Sequence, residues 1–233
     1  MRTVLLANNR LGERIAGYLA ERGDLIGLVL HAGERRTGFA EPDRYDVPSW
    51  CWPDGEAEVR ALAPEAIVSV LFGHLVPPSW LGIPTWRAVN LHPGLLPHNA
   101  GAAPNTWPLV DGSPAGTTLH VMAPTLDTGD VLDQVGVPTF PDDTAETLYR
   151  RLEDASEALF RRVWPEVRDL DPRPQGPGGS VHRLADLATL DPRPDELALI
   201  DRLRARTFPP YGAEYEVDGR RYRVRVEIEP LDP

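Results

Sequence analysis

Residues 2–31 read RTVLLANNRLGERIAGYLAERGDLIGLVLH, and the three parts of this stretch decide the fold. RTVLLA (residues 2–7) is a short apolar run that stops at Asn8-Asn9. In the next part Leu11, Ile15, Tyr18 and Leu19 fall on one helical face, and Gly23 ends the helix. LIGLVLH (residues 25–31) is a second apolar run, of the kind buried on both faces of a sheet. A strand, a helix and a strand in this order predict a parallel pair joined by a right-handed crossover.

Working outward, residues 32–53 are polar, aromatic and interrupted by proline, and read as loop. EAEVRALAP (56–64) is predicted as a helix, followed by strands EAIVSVLF (65–72) and RAVNLH (87–92). GTTLHVM (116–122) and VLDQVGV (131–137) read as two more strands around the loop APTLDTGD. The clearest helix starts at Asp143 or Thr144 and ends near Pro165, with Leu148, Leu152, Ala155 and Leu159 on one face. Then LDPRPQGPGGS (170–180) marks a Pro/Gly boundary. Beyond it ELALIDRLRART reads as a helix and EYEVDGRRYRVRVEI (214–228) as a hairpin, with Asp218-Gly219 as its type I′ turn. The expected layout is a body over 1–169, a linker over 170–180 and a small helix-and-hairpin region over 181–233. The fold class is α/β with a mainly parallel, twisted sheet.

The composition excludes several functions. With 233 residues and 42% hydrophobic content, the chain can bury a full core. Its one cysteine, Cys51, permits no disulfide within the chain and reads as packing between Trp50 and Trp52. All 24 basic residues are arginine, so Schiff-base lysine chemistry and a lysine-dependent phosphate loop are excluded. A net charge of −11 argues against nucleic acid as a partner. No apolar run suits a signal peptide or a membrane span, so a cytoplasmic location is expected, with no membrane partner. The turn after the first strand is not the glycine fingerprint of a dinucleotide site. His92, His98 and His120 lack the spacing of a metal site, and no metal is expected. His120 reads as a satisfied strand histidine.

One segment carries chemistry. In NLHPGLLPHNAG (90–101), Asn90 and His92 sit two residues apart at a strand end, so they point to the same side. An amide and an imidazole held together can polarise a carbonyl oxygen; they can equally be ordinary polar residues at a strand end.

VNLHPGLLPHNAGAAPNTW followed by GTTLHVMAPTLDTGDVLDQ resembles the family of formyltransferases that use N10-formyltetrahydrofolate. The shared pattern is an Asn-x-His strand end, a Pro/Gly loop, and a later Asp-Thr-Gly or Asp-Ala-Gly loop. The resemblance implies a Rossmann-like body, the co-substrate N10-formyltetrahydrofolate, and Asn90, His92 and Asp127 as catalytic residues. In that chemistry an amine attacks the formyl carbon and negative charge grows on the formyl oxygen. Asn90 and His92 would stabilise that oxygen, and Asp127 would orient His92 and help accept the amine's proton. The resemblance places the pterin against Phe72, Gly73, His74, Leu75 and Val76, with Thr128 and Asp130 on the opposite loop. Phe72 and Leu75 are equally credible as plain core residues.

Within the family, LPHNAGAAPNTW and the tail RLRARTFPPYGAEYEVDGRRYRVRV are similar to the amino-sugar N-formyltransferases. The methionyl-tRNA branch carries a longer C-terminal domain. The expected acceptor is therefore a primary amine of an amino sugar, nucleotide-linked (dTDP-type). Asn8, Arg10, His98, Asn99, Asn105 and Trp107 are the candidate acceptor-binding residues. Basic groups that this branch often carries are missing from the loop FGHLVP and at Ala100. Either Arg10, Arg35 or Arg36 supplies the charge for a diphosphate, or the acceptor has none. The alternatives are a folate-dependent transferase acting on a non-nucleotide amine and a formyltetrahydrofolate hydrolase. The sugar branch often dimerises through its tail, so a homodimer is expected.

Overall fold

The computed structural model describes residues 1–31, 39, 41–190, 196–208, 210 and 212–229. Arg35 and Arg36 lie outside them. Contacts divide the chain into two compact units. The first comprises Met1–Thr139 with Thr144–His182, and the second Phe140–Asp143 with Arg183–Pro233.

The first unit opens as the sequence predicts. β1 (Thr3–Ala7), α1 (Arg10–Glu21) and β2 (Leu25–Leu30) form a parallel crossover. Asn9 caps α1 by accepting the Gly12 N–H at 3.0 Å. β3 (Ser49–Cys51) follows, then α2 (Glu56–Ala61), β4 (Ala66–Val70), α3 (Pro78–Leu81) and β5 (Arg87–His92). β6 (Ala100–Gly101) and α4 (Trp107–Asp111) lie in the next connection. β7 (Gly116–Val121), β8 (Val131–Gly136) and α5 (Ala145–Val163) complete the main body, and β9 (Val181–His182) closes the unit. The main sheet has seven strands in the order β3-β2-β1-β4-β5-β7-β8. β1 to β5 run parallel, and β7 and β8 run antiparallel to their neighbours. β3 falls within residues read as loop. It is a three-residue edge strand with a serine, a tryptophan and a cysteine, too short to show a period.

Both faces of the sheet are covered. On one, Leu5, Leu28, Val68, Val89 and Leu91 pack with α1 and with Leu159, Phe160 and Val163 of α5. On the other, Val4, Leu6, Ile67 and Ala88 pack with Val59, Phe72 and Trp80. Alternation along β5 places Asn90 and His92 on the second side, in line with Ala88.

Residues 170–180, read as a Pro/Gly linker, and residues 181–182, read as the start of the tail, bond to the body. Arg173 exchanges backbone hydrogen bonds with Val131, and β9 pairs with β6. Backbone bonding, rather than composition, decides where this segment belongs, and it belongs to the first unit.

In the second unit a turn of helix over Leu184–Leu190 precedes α6 (Leu197–Arg206). β10 (Ala213–Val217) and β11 (Arg220–Val224) then form an antiparallel hairpin. Asp218 and Gly219 both have positive φ, 51° and 74°, as a type I′ turn requires. Tyr215 and Tyr222 stack across the hairpin, with ring centroids 5.3 Å apart. Leu197, Leu199, Phe208 and Ile228 remain exposed on this unit.

Candidate active site

His92 ends β5 and is 5% exposed. Its Nε2–H donates to the Asn99 carbonyl at 3.0 Å. A neutral ring in that tautomer carries its lone pair on Nδ1. Nδ1 lies 3.6 Å from Asp127 Oδ2. Burial pushes the His92 pKa below the ordinary histidine value, and the neighbouring Asp127 charge only partly offsets this. The ring is therefore neutral at pH 7, with a bare nitrogen facing a carboxylate. Gly94 answers why glycine follows Pro93: a Cβ there would come within 2.5 Å of His92 Nε2.

Asp127 is held in the left-handed region, φ 52°, at the turn between β7 and β8. Its Oδ2 accepts the Gly101 N–H at 2.8 Å, and its Oδ1 accepts from Asn90 Nδ2 at 3.3 Å. Burial alone would raise its pKa. The contact with His120, the charge of a protonated His92 and the Gly101 N–H outweigh burial and bring the pKa down to about 2. With His92 neutral, the Gly101 and Asn90 N–H groups remain to keep the carboxylate ionised. The loop closes tightly: a Cβ on Gly129 would lie 1.8 Å from the Val121 carbonyl oxygen, so the Asp-Thr-Gly pattern needs its glycine.

His120 joins this cluster, which its reading as an ordinary strand residue missed. Antiparallel register sets it opposite Asn90. Its Nδ1–H donates to the Val121 carbonyl at 2.9 Å, which leaves Nε2 to accept from Asn90 Nδ2 at 3.2 Å. That network assigns the orientation of the Asn90 amide, nitrogen toward His120 and Asp127. Only cross-strand pairing reveals the contact; the spacing of the two residues in the chain carries no signal.

The remaining candidates divide. Phe72 and Val76 are 2% exposed and belong to the core, whereas Gly73, His74 and Leu75 are exposed on the loop between them. His74 stacks on Trp52 and lies beside His31. Thr128 bonds to Thr125, and Asp130 is exposed. Asn8, half-buried at the end of β1, has a buried Oδ1 with no partner among the described residues. His98 is half-buried.

Four acceptor-binding candidates are committed elsewhere. Arg10 pairs with the buried Glu153. Asn99 is fully buried, and its side chain bonds Ser113, Pro114 and Ser180. Asn105 donates to the Ala145 carbonyl at 2.9 Å. Trp107 is buried, donates to the Ala102 carbonyl and stacks on His182. Asn99, Asn105 and Trp107 thus hold the loop and its neighbours through these bonds. The sequence shows only that polar and aromatic groups follow the Pro/Gly loop. It does not show the groups, near and distant in sequence, that these side chains bond.

Among the described residues, no three His, Cys, Asp or Glu side chains converge as metal ligands. No helix among them is long and apolar enough to cross a membrane.

The chain is similar to known proteins along most of its length. A family model described as formyl transferase matches residues 28–164, and one described as the N-formyltransferase dimerization C-terminal domain matches 197–230. A methionyl-tRNA formyltransferase of Geobacter sulfurreducens is 44% identical over 150 residues, covering 58% of this chain and 47% of that protein. The chain thus spans less than half the length of that relative. A sugar N-formyltransferase from a Shewanella species superimposes with a TM-score of 0.70 at 23% identity, covering 99% of this chain and 98% of that one. A formyltransferase of Anoxybacillus kamchatkensis was solved in complex with UDP-4,6-dideoxy-4-formamido-L-AltNAc and tetrahydrofolate. It superimposes with a TM-score of 0.60 at 28% identity, covering 80% of this chain and 88% of that one. With a family model matched over more than half of its length and the Asn90–His92–Asp127 cluster assembled in its fold, this chain belongs to the formyl transferase family.

Proposed function

We propose that the chain transfers the formyl group of N10-formyltetrahydrofolate to a primary amine of an amino sugar, nucleotide-linked, and that it works as a homodimer. The observation that carries the transfer is the facing pair, His92 Nδ1 and Asp127 Oδ2 at 3.6 Å. A neutral nitrogen lone pair and an anionic oxygen repel until a proton comes between them. The pair is therefore a ready acceptor for the proton the amine must lose.

The amine nitrogen forms a bond to the formyl carbon, and the bond from that carbon to N10 breaks. Negative charge passes through the formyl oxygen on the way. Asn90 supplies an N–H there by giving up its long 3.3 Å contact with Asp127, while its contact with His120 keeps the amide nitrogen aimed. His92 takes the amine proton on Nδ1, and Asp127 stabilises the imidazolium that results. The proton then returns to N10 as tetrahydrofolate leaves.

The loop after β4 suits the folate. Leu75 is 58% exposed beside an exposed His74 ring, an apolar and aromatic surface that a pterin would cover. The homodimer is supported by the tail, which matches the dimerization domain of N-formyltransferases, and the sugar acceptor by the likeness to the Shewanella and Anoxybacillus proteins. Asn8, whose buried Oδ1 has no partner among the described residues, is a candidate at the end of β1 to receive an acceptor's N–H or O–H.

One observation favours a second reading. Arg10 is paired with Glu153, so its charge is already partnered. A non-nucleotide amine metabolite needs no counter-ion for a diphosphate. The deciding experiment follows tetrahydrofolate release with N10-formyltetrahydrofolate alone, with dTDP- and UDP-linked amino sugars, and with free amino sugars. Turnover that depends on the nucleotide-linked amines supports the proposal. Turnover with free amines alone selects the second reading, release without any amine indicates a hydrolase, and no release rejects the transferase.

A further inference from the structure

Residues 173–182 run past both loops that meet at Asp127. At one end Arg173 and Val131 exchange backbone bonds at 2.8 and 2.7 Å. Next, the Gln175 side-chain amide donates both its hydrogens, to the Asp127 carbonyl at 2.7 Å and the Gly129 carbonyl at 2.9 Å. At the other end the Ser180 N–H donates to the Pro97 carbonyl at 3.2 Å. The Ala100 and Ala102 N–H groups donate to the Ser180 and His182 carbonyls at 3.0 and 2.9 Å. Ser180 Oγ accepts the Asn99 N–H at 2.9 Å. The segment therefore touches the loop that carries the carboxylate and the loop whose Gly101 N–H orients it.

We propose that Gln175 is a positioning residue for the reaction, and that residues 173–182 brace the two loops on which Asp127 depends. The inference rests on the reading of Asp127 as the partner of His92 in proton transfer. Asp127 has φ 52°, a backbone state uncommon for residues with side chains though open to Asp, and one that a loop holds uniquely only when its carbonyls are tied down. Its neighbours Thr125, Leu126 and Thr128 are exposed, so core packing does not supply that constraint. Gln175 does, by gripping the carbonyl of Asp127 itself and that of the glycine two residues on. Without the grip the loop relaxes, the carboxylate leaves the Gly101 N–H, and the 3.6 Å contact with His92 Nδ1 opens. The far end of the brace is equally close: a Cβ on Gly179 would lie 2.2 Å from the Pro97 carbonyl oxygen.

The test compares Gln175→Ala, Gly179→Ala and, as a control, Gly176→Ala, where a Cβ meets nothing within 4 Å. The first readout is the titration of His92 by NMR on histidine-labelled full-length protein. The titratable groups facing His92 are Asp127 from the β7–β8 loop and His120 from β7. Retreat of the Asp127 charge lowers the His92 midpoint, by about half a unit or more. The second readout is tetrahydrofolate release from N10-formyltetrahydrofolate with the amine panel described above. A misplaced acceptor lowers kcat by about 10- to 100-fold, with KM for the folate almost unchanged. Both changes in Gln175→Ala, with the control unmoved, support the proposal. An unmoved His92 midpoint with wild-type kcat overturns it. So does a lowered melting temperature with an unmoved midpoint, because Gln175 would then serve stability alone. If wild-type protein turns over no amine, the functional reading fails, and the His92 midpoint still decides the brace. If Gly179→Ala does not fold, Gln175→Ala decides alone.

Discussion

Replacing Asp127 by Asn tests the reaction centre most directly, because it removes a charge and keeps the shape. An Asn side chain can still give its oxygen to the Gly101 N–H, as the Asp127 carboxylate does at 2.8 Å. Its NH2 then takes the place of Oδ1, facing the Asn90 Nδ2 that had donated to the carboxylate, and a neutral oxygen is left toward His92 Nδ1. A donor now meets the Asn90 donor, and no charge remains beside His92 to stabilise the imidazolium it becomes on taking the amine's proton. We expect tetrahydrofolate release to fall by about 10²- to 10⁴-fold, or about 2.7–5.5 kcal/mol of barrier. Stability supplies a second measure. The folded carboxyl sits at about 2 against an ordinary 3.8, so between these values the unfolded chain binds more protons. The Asp127 contribution to stability is then fully present above pH ~4 and is lost as pH falls toward 2, by roughly 2 kcal/mol. Denaturant unfolding across that window should show a smaller loss in Asp127→Asn than in wild type, by about that amount, because Asp24, Glu65 and Asp111 are also held low and titrate in both proteins. Turnover in the variant within about threefold of wild type, or the same acid loss in both proteins, would refute the reasoning.

Four further outcomes are expected. Asn90→Ala and His92→Ala should each lower turnover by about two orders of magnitude or more while folding persists; near-normal turnover in His92→Ala removes it from the mechanism. Gly129→Ala should destabilise the fold by about 3 kcal/mol or more, because its Cβ falls 1.8 Å from the Val121 oxygen; denaturant unfolding checks this, and a wild-type curve contradicts it. Sedimentation at micromolar concentration should show a dimer, with exposed Leu197, Leu199 and Phe208 buried in it; a monomer refutes that. A gel shift with initiator tRNA at moderate salt should show no binding, since the chain carries a net −11.

The parts of the fold that repeat locally were legible in the sequence. Period 3.6 marks Leu11, Ile15 and Leu19 of α1, and the apolar runs mark β1 and β2. Asp218-Gly219 announced its turn because few residue pairs tolerate positive φ twice in succession. Alternation alone placed Asn90 and His92 on one side of β5. What remained hidden depends on partners distant in sequence. His120 reaches Asn90 only through the register between β5 and β7. Asn99 and Trp107 look free until the backbone atoms they serve are known. The bonding of residues 170–182 was invisible for the same reason: proline and glycine announce a bend and say nothing of what the bend lies against.

Where residues 170–182 belong bears on how such a chain can be recombined. A tail is exchangeable between relatives only if the splice leaves the reaction centre whole. A splice at the end of α5 would carry Gln175 and Ser180 away with the donor tail and substitute a stranger's contacts for theirs. A splice after His182 would keep every bond to Asp127, Asn99 and Ala102 in the recipient. Gene shuffling in this lineage, natural or directed, should therefore tolerate crossovers past His182 and be purged of those between Leu170 and Ser180.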